Sequence, residues 1–319
     1  MPTDLSEWMA RIAEASRRIY ELVQQTPVAL IEDDLRLDSA RAFLKLEHLQ
    51  RTGSFKLRGA TSKVFSLSPE EAANGVVTSS TGNHALGVAT AARYRGIDAE
   101  VFVSSHVSPE KLPLIQDCGA QIRHSGDNPL EAELAARAVA SATGKTYISP
   151  YNDPYVIAGQ GTIGLEVGQQ VDSIDAIYIA VGGGGLISGI GAYMKSVTPQ
   201  TEIVGCWPEN SRVMYECLRV GRVIYFPEQP TLSESTAGGV EPESITLELC
   251  QRVIDRGVLV SELEILDAMR WAYQRGWKIE GAAGVAIAAF FKETSRQHGK
   301  TVVIISCGGN ASPEVLSRL

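Results

Sequence analysis

Four consecutive glycines, Gly182, Gly183, Gly184 and Gly185, follow a β-branched run at 176–181 and precede a helical pattern at 186–196. No other stretch narrows the fold as much. Successive glycines are entropically unfavourable, so a plain turn rarely uses them. A strand-to-helix turn without side chains leaves backbone N–H groups and the positive end of a helix facing outward, where an anion can sit. A phosphate is expected there, with tight packing of the turn as the alternative.

The same strand-then-helix step recurs. Short apolar runs at 75–78, 100–103, 146–149, 176–181, 202–206 and 301–306 read as buried strands. They are near-continuous rather than alternating, which favours parallel strands covered on both faces. Helical patterns lie between them at 85–94, 129–142, 186–196, 262–274 and 283–296. This rhythm implies a doubly wound α/β architecture. No internal repeat or long linker divides the chain, so a second domain would be an insertion. The stretch 222–244, with Pro227, Pro230, Gly238, Gly239 and Pro242, reads as a long irregular loop, a type that often carries function.

Lys56 lies in Ser54-Phe55-Lys56-Leu57-Arg58-Gly59-Ala60. A lysine in such a segment reads by itself as a solvated surface residue. Paired with the glycine turn it acquires a meaning: a primary amine beside the aromatic Phe55, and an anion nest elsewhere. A cofactor with an aldehyde at one end and a phosphate at the other, pyridoxal 5'-phosphate, would satisfy both. Partial burial lowers a lysine pKa towards the neutral amine that such chemistry needs.

Three further segments qualify this reading. Thr78-Ser79-Ser80-Thr81-Gly82-Asn83-His84 joins a strand to a helix. It could hold a carboxylate at its hydroxyls and N–H groups, with Asn83 donating to a cofactor oxygen, or it could simply cap a helix. Gly159-Gln160-Gly161-Thr162-Ile163-Gly164 fits the dinucleotide fingerprint, but the segment before it contains Pro154 and no acidic residue ends a strand about 20 residues on. These glycines are expected to serve helix–sheet packing. In Ser306-Cys307-Gly308-Gly309-Asn310 a thiol or hydroxyl could meet a ring nitrogen, although a lone cysteine is usually core.

Composition excludes other classes. The formal charge of -8 and the lack of a basic run argue against nucleic acid and anionic membranes. The five cysteines are scattered without a C-x-x-C pair, which suggests reduced thiols rather than disulfides or zinc. Leu5, Trp8, Met9, Ile12, Ile19, Leu22 and Val23 recur at helical spacing with arginines between them, unlike a signal peptide. No apolar run reaches the ~18 residues of a membrane span. A cytoplasmic location is expected.

Taken in order, SFKLRGA, SSTGNH, AGQGTIGLE, VGGGGLISG, EGAAG and SCGGN resemble the fold-type II pyridoxal-phosphate enzymes, in particular the serine/threonine dehydratase and serine racemase group, over roughly residues 20–315. The resemblance implies a tryptophan-synthase-β-like pair of domains with the cofactor between them: a large one from 1–65 and 149–319 and a small inserted one at 66–148. By motif, Lys56 corresponds to the lysine that bonds the cofactor, Phe55 to the residue flanking its ring and Asn83 to the partner of its ring hydroxyl. The four glycines correspond to the phosphate cradle. Glu280 matches an acidic position near the cofactor, and Cys307 the residue opposite the pyridine nitrogen. Ser80, Thr81, Gly82, Asn83 and His84 correspond to the substrate-carboxylate loop.

The sequence departs from the family pattern in three places. Thr81 stands where racemases place a serine that handles a proton. Trp207 replaces an acidic cation ligand, so no metal is expected unless Glu209 substitutes. Ser233-Glu234-Ser235-Thr236-Ala237-Gly238-Gly239 replaces an Ala-Asp-Gly-like run. The sequence runs nine residues past Asn310, so the regulatory domain of biosynthetic threonine dehydratases is not expected.

The implied activity is elimination of the β-hydroxyl of a small hydroxy amino acid such as threonine or serine, giving a 2-oxo acid and ammonia. Lys56 would act as general base in a homodimeric enzyme. The alternatives are a hydroxyectoine-utilisation dehydratase, a racemase, a nicotinamide-dependent oxidoreductase and a non-catalytic sensor.

Overall fold

The protein's structure, a computed structural model, describes residues 4–32, 37, 39–107 and 112–319. Among the described residues ten strands form two sheets: β1 (Val28–Leu30), β2 (Arg41–Lys45), β3 (Val76–Ser79), β4 (Ala99–Val103), β5 (Gln121–His124), β6 (Thr146–Tyr147), β7 (Ala176–Ala180), β8 (Glu202–Pro208), β9 (Arg256–Val260) and β10 (Thr301–Ile305). The six-stranded sheet runs β1-β2-β10-β7-β8-β9 and the four-stranded sheet β5-β4-β3-β6. Every pairing is parallel except β1 with β2. The expected α/β architecture with largely parallel sheets is present. All strands of the smaller sheet come from one continuous stretch of chain, and those of the larger sheet lie on both sides of it.

The apolar runs explain the central strands. All five residues of β7 are buried, as are the last four of β10 and the last six of β8. The strands without such runs were not expected: β5 is a mostly exposed polar edge (Gln-Ile-Arg-His), β1 has three residues, and β9 begins Arg-Gly. The expected strand at 146–149 shortens to two residues.

Among the described residues thirteen α-helices surround the sheets. In chain order they are α1 (Leu5–Ile19), α2 (Lys56–Ser66), α3 (Pro69–Asn74), α4 (Asn83–Arg95), α5 (Pro113–Asp117), α6 (Pro129–Thr143), α7 (Pro154–Gln170), α8 (Gly185–Val197), α9 (Val213–Val220), α10 (Ile245–Val253), α11 (Glu262–Gln274), α12 (Gly281–Lys292) and α13 (Pro313–Leu316). Among the described residues no helix is long and apolar enough to cross a membrane. The N-terminal helix is present: Asp4 caps it, Trp8, Ile12, Ala15 and Ile19 are buried, and Met9 faces outward.

The Gly159–Gly164 run lies inside α7, not at a strand-to-helix turn. A Cβ at Gly159 would meet the Arg58 carbonyl at 2.6 Å, at Gly161 the Ile12 side chain at 2.5 Å, and at Gly164 the Ile190 carbonyl at 3.2 Å. These glycines let α7 pack against α2, α1 and α8. The expectation of helix–sheet packing is corrected to helix–helix packing, and a dinucleotide turn is not formed.

One polar cluster crosses this helical layer. Arg58 of α2, fully buried, donates to Glu47 (2.7 and 2.9 Å) and to Glu166 of α7 (2.6 and 2.9 Å). Lys45 of β2, also fully buried, reaches Glu166 at 2.5 Å, the Thr26 carbonyl at 2.6 Å and Gln170 at 2.8 Å. The Tyr20 hydroxyl donates to Glu166 at 2.8 Å. Burial opposes charge at each group, but the partners prevail for two of them: Glu47 and Glu166 hold Arg58 above its usual range, and Arg58 and Lys45 hold Glu166 below. At Lys45 burial prevails, and its pKa is lowered.

Breaking one partner of such a cluster leaves the others buried and unpaired. Arg58→Met is expected to cost about 3–5 kcal/mol, seen as a lower urea midpoint at unchanged slope. Adding Glu47→Gln should recover part of the loss; an Arg58→Met protein as stable as the parent would contradict this account.

Candidate active site

The carboxyl ends of β3, β7 and β10 hold three of the segments singled out above, where open parallel sheets place their ligand sites. The fourth, around Lys56, is stitched to the end of β10. The Phe55 N–H donates to the Cys307 carbonyl at 3.0 Å, Gly309 N–H to the Gly53 carbonyl at 2.8 Å, and Ser54 bridges Gly308. Lys56 thus begins α2 within one cleft that Phe55, Asn83, Tyr151, the four glycines, Ser235, Thr236, Glu280 and Cys307 also line. The spatial coincidence on which the sequence reading depends is present.

Lys56 Nζ donates to the Pro150 carbonyl at 2.8 Å and lies 5.2 Å from the centre of the Phe55 ring. Burial pulls its pKa down to about 8, although Cys307 and Glu280 act in the opposite direction. The amine therefore gives up its proton at a lower pH than an ordinary lysine does.

At the other end of the cleft, the first bond of α8 runs from Ser188 N–H to the Gly184 carbonyl at 2.9 Å. The preceding N–H groups of Gly185, Leu186 and Ile187 are left without helical acceptors, as at any helix start, and all three residues line the cleft. Gly184 has φ +86°. A Cβ at Gly183 would lie 2.4 Å from the Tyr151 ring, at Gly184 2.8 Å from Cys250 Sγ, and at Gly182 3.0 Å from the Thr236 backbone. Close packing and an open N–H cradle, set against each other as alternatives for this turn, both hold.

Glu280, buried at the N-cap of α12, accepts from Asn83 Nδ2 at 3.1 and 2.9 Å, and the Ser235 hydroxyl and Asn310 N–H also serve it. Burial nevertheless raises its pKa. Gly308 makes room for this carboxyl, since a Cβ there would be 2.8 Å from it. Burial, reinforced by Glu280, pushes the Cys307 thiol well above its ordinary range, so it stays protonated.

The substrate loop is less uniform than its motif. Asn83 lines the cleft, whereas Ser80, Thr81, Gly82 and His84 lie outside the lining. Gly82 N–H donates to Ser80 Oγ at 3.2 Å. His84 is buried with Nε2 3.0 Å from the Ile148 carbonyl, and burial and Lys56 push its pKa down to about 3. Its side chain holds the end of β6 rather than the cleft. Trp207 is buried edge-on to Tyr215, with ring centres 5.4 Å apart, and Glu209 stands 4.0 Å from Lys292 Nζ.

Tyr151, Pro150, Ser235, Thr236 and Asn310 were not singled out individually. Ser235, Thr236 and Asn310 lie inside segments already flagged. Pro150 and Tyr151 follow an expected strand but carry no motif; only their packing on the glycine turn and Lys56 reveals them. A separate groove lined by Arg17, Arg18, Phe65, Tyr94 and Arg95 contains none of the groups above.

Comparison with known proteins agrees with this arrangement. Residues 19–308 match the family model described as pyridoxal-phosphate dependent enzyme. The chain is 38% identical to the L-threonine ammonia-lyase of Thermotoga maritima over 309 residues, 97% of this chain and 77% of that protein. It is 35% identical to the catabolic L-threonine dehydratase TdcB of Escherichia coli, covering 99% and 97%. The processed threonine deaminase isoform 2 of Solanum lycopersicum superposes with a TM-score of 0.93 at 32% identity, covering 100% and 94%. Maize serine racemase gives 0.90 at 31%, covering 97% and 95%. With Lys56 and the glycine turn sharing one cleft, and a match across nearly its whole length, the chain belongs to the pyridoxal-phosphate dependent enzyme family.

Proposed function

We propose that this chain is a pyridoxal-phosphate dependent ammonia-lyase that removes the β-hydroxyl of L-threonine or L-serine and releases a 2-oxo acid and ammonia. The observation that carries the reading is the shared cleft of Lys56 and Gly182–Gly185, in a chain most of whose length aligns with L-threonine ammonia-lyases. The residues suit the cofactor at both ends: a lysine whose pKa lies near 8, and an N–H cradle that admits no side chain. When bound, pyridoxal phosphate supplies an electrophilic aldehyde carbon for an amine and a conjugated ring that spreads the electron pair left by a departing Cα proton.

The chain's own groups have the following parts. The N–H groups of the glycine turn and the first turn of α8 bind phosphate. Lys56 Nζ, its head oriented by the Pro150 carbonyl, would hold the cofactor and would accept the substrate Cα proton. Asn83 and Phe55, both in the cleft lining, would hold the cofactor's ring oxygen and flank its ring. Cys307 remains a neutral thiol and offers no carboxylate-like charge to a protonated ring nitrogen. Electron withdrawal is then modest, which suits a reaction whose leaving group departs promptly. The 80–84 loop, which reaches the cleft lining at Asn83, would offer its N–H groups and hydroxyls to the substrate carboxylate, the His84 ring excepted, with Thr81 the hydroxyl nearest in role to a racemase serine.

A second substrate class is favoured by one observation. Ser235 and Thr236 line the cleft, so the unusual 233–239 segment faces the reaction space. This supports a hydroxyectoine-derived amino acid as the runner-up. The reading also includes a homodimer in the cytoplasm. Five free cysteines, four of them buried, support a reducing compartment, and light scattering tests the dimer.

A panel of L-threonine, L-serine and hydroxyectoine-derived amino acids, followed by 2-oxo acid release and by enantiomer analysis, separates lyase from racemase and one substrate from another. Lys56→Ala is expected to abolish both turnover and the visible absorbance of the purified protein; retention of both would refute the assignment. A second expectation follows from the lowered lysine pKa. Below about 8 the amine of the cofactor-free protein is protonated and unreactive, and above it is free. The rate of cofactor uptake, read from visible absorbance, should rise with pH through about 8 and then level off, well before the ordinary lysine value near 10.4.

A further inference from the structure

Asn310 has no part in the chemistry above, yet its amide joins three segments. Its Nδ2 donates to the Thr52 carbonyl at 2.8 Å and to Asn83 Oδ1 at 2.7 Å, which engages both of its hydrogens. Its backbone N–H serves Glu280. The left-handed Gly53 (φ +73°) leaves space for it, because a Cβ there would lie 2.5 Å from Asn310 Oδ1. Asn310 is exposed, Asn83 half-buried and Glu280 buried, so the chain of bonds runs from solvent into the cleft.

These bonds settle the orientation of the Asn83 amide. With Oδ1 facing the Asn310 donor, Nδ2 faces the Glu280 oxygens at 3.1 and 2.9 Å. Turning the amide over would set nitrogen against nitrogen on one side and oxygen against oxygens on the other. Glu280 alone could orient Asn83 only by drawing its donors to itself. Asn310 anchors the opposite end of the amide, so its nitrogen stays on the cleft side.

We propose that Asn310 is a positioning residue for the cofactor: it holds the Asn83 amide with its nitrogen on the cleft side, where Nδ2 donates to Glu280 and would turn an N–H to the ring oxygen of pyridoxal phosphate. The inference rests on the reading of Asn83 as the partner of that oxygen. An amide held as a donor favours the anionic form of the oxygen, so both cofactor retention and the visible spectrum depend on Asn310.

The test compares the holoenzyme with Asn310→Asp, Asn310→Ala, Asn83→Ala and the double variant Asn83→Ala/Asn310→Ala. The readouts are cofactor loss on dilution, the pH dependence of the visible band, and the melting temperature. Asn310→Asp keeps the shape and replaces the donor with an acceptor. It and Asn83→Ala are each expected to speed cofactor loss about tenfold, the size of one hydrogen bond to a charged group, and to shift the band. Asn310→Ala should have a smaller effect of the same kind. The double variant should lose cofactor no faster than Asn83→Ala, because the two act as one unit.

If Asn83→Ala impairs retention while Asn310→Asp and Asn310→Ala lower only the melting temperature, Asn310 is merely structural and the inference fails. Effects that multiply in the double variant overturn it as well. If Asn83→Ala itself keeps the parental retention and band, the underlying reading of Asn83 is what has failed.

Discussion

The buried cluster around Arg58 is the constraint on which the remainder depends. Two carboxylates, a guanidinium and an ammonium removed from water are tolerated only when each is bonded on nearly every side, and here they are. That requirement fixes α2 against α7, β2 and the chain near Thr26 in a single arrangement. Lys56 lies two residues before Arg58 on the same helix, so the reactive amine inherits its position from a polar network deep in the protein. A greasy interface of similar size would tolerate small slides of one helix over another; a set of directional ionic contacts does not.

The cleft itself is assembled by backbone more than by side chains. The segment after β10 pairs with the loop before Lys56 and with the start of α12 through main-chain bonds at Phe55, Gly309 and Glu280. Glycines at 53, 308 and 309 permit these approaches, since a Cβ at each would meet Asn310, the Glu280 carboxyl and the Lys278 carbonyl respectively. Lys56, Cys307 and Glu280 line one cleft, and burial moves each towards its neutral form: it lowers the lysine and raises the thiol and the carboxyl.

Much of this was legible before any coordinates, for physical reasons. Parallel strands covered on both faces need continuous apolar runs, so β3, β4, β7, β8 and β10 stood out, whereas the edge strand β5, bathed in solvent, left no such trace. Lys56, the glycine turn, Asn83, Glu280 and Cys307 were findable because each lies in a short local motif at a strand or helix end. Tyr151 and the partners of Arg58 were not found, because their significance is purely three-dimensional; Ser235 and Thr236 were flagged only as part of a segment. His84 is legible as part of a motif, but the place of its ring is not: Nε2 lies against the Ile148 carbonyl, away from the cleft lining. The glycines at 159–164 show that one residue type at one spacing can serve unlike ends, there helix crossing instead of nucleotide contact.

The glycine turn is wedged between the Tyr151 ring, the Thr236 backbone and Cys250. It therefore has almost no freedom to accept new side chains, whatever is bound beside it. Gly238 and Gly239, by contrast, would each extend a Cβ into open space, although the φ of +127° at Gly238 disfavours side chains there. Substitution in this scaffold is thus constrained unevenly: steric crowding closes the glycine turn to side chains, whereas the 233–239 segment, of which Ser235 and Thr236 line the cleft, has room for one at Gly239.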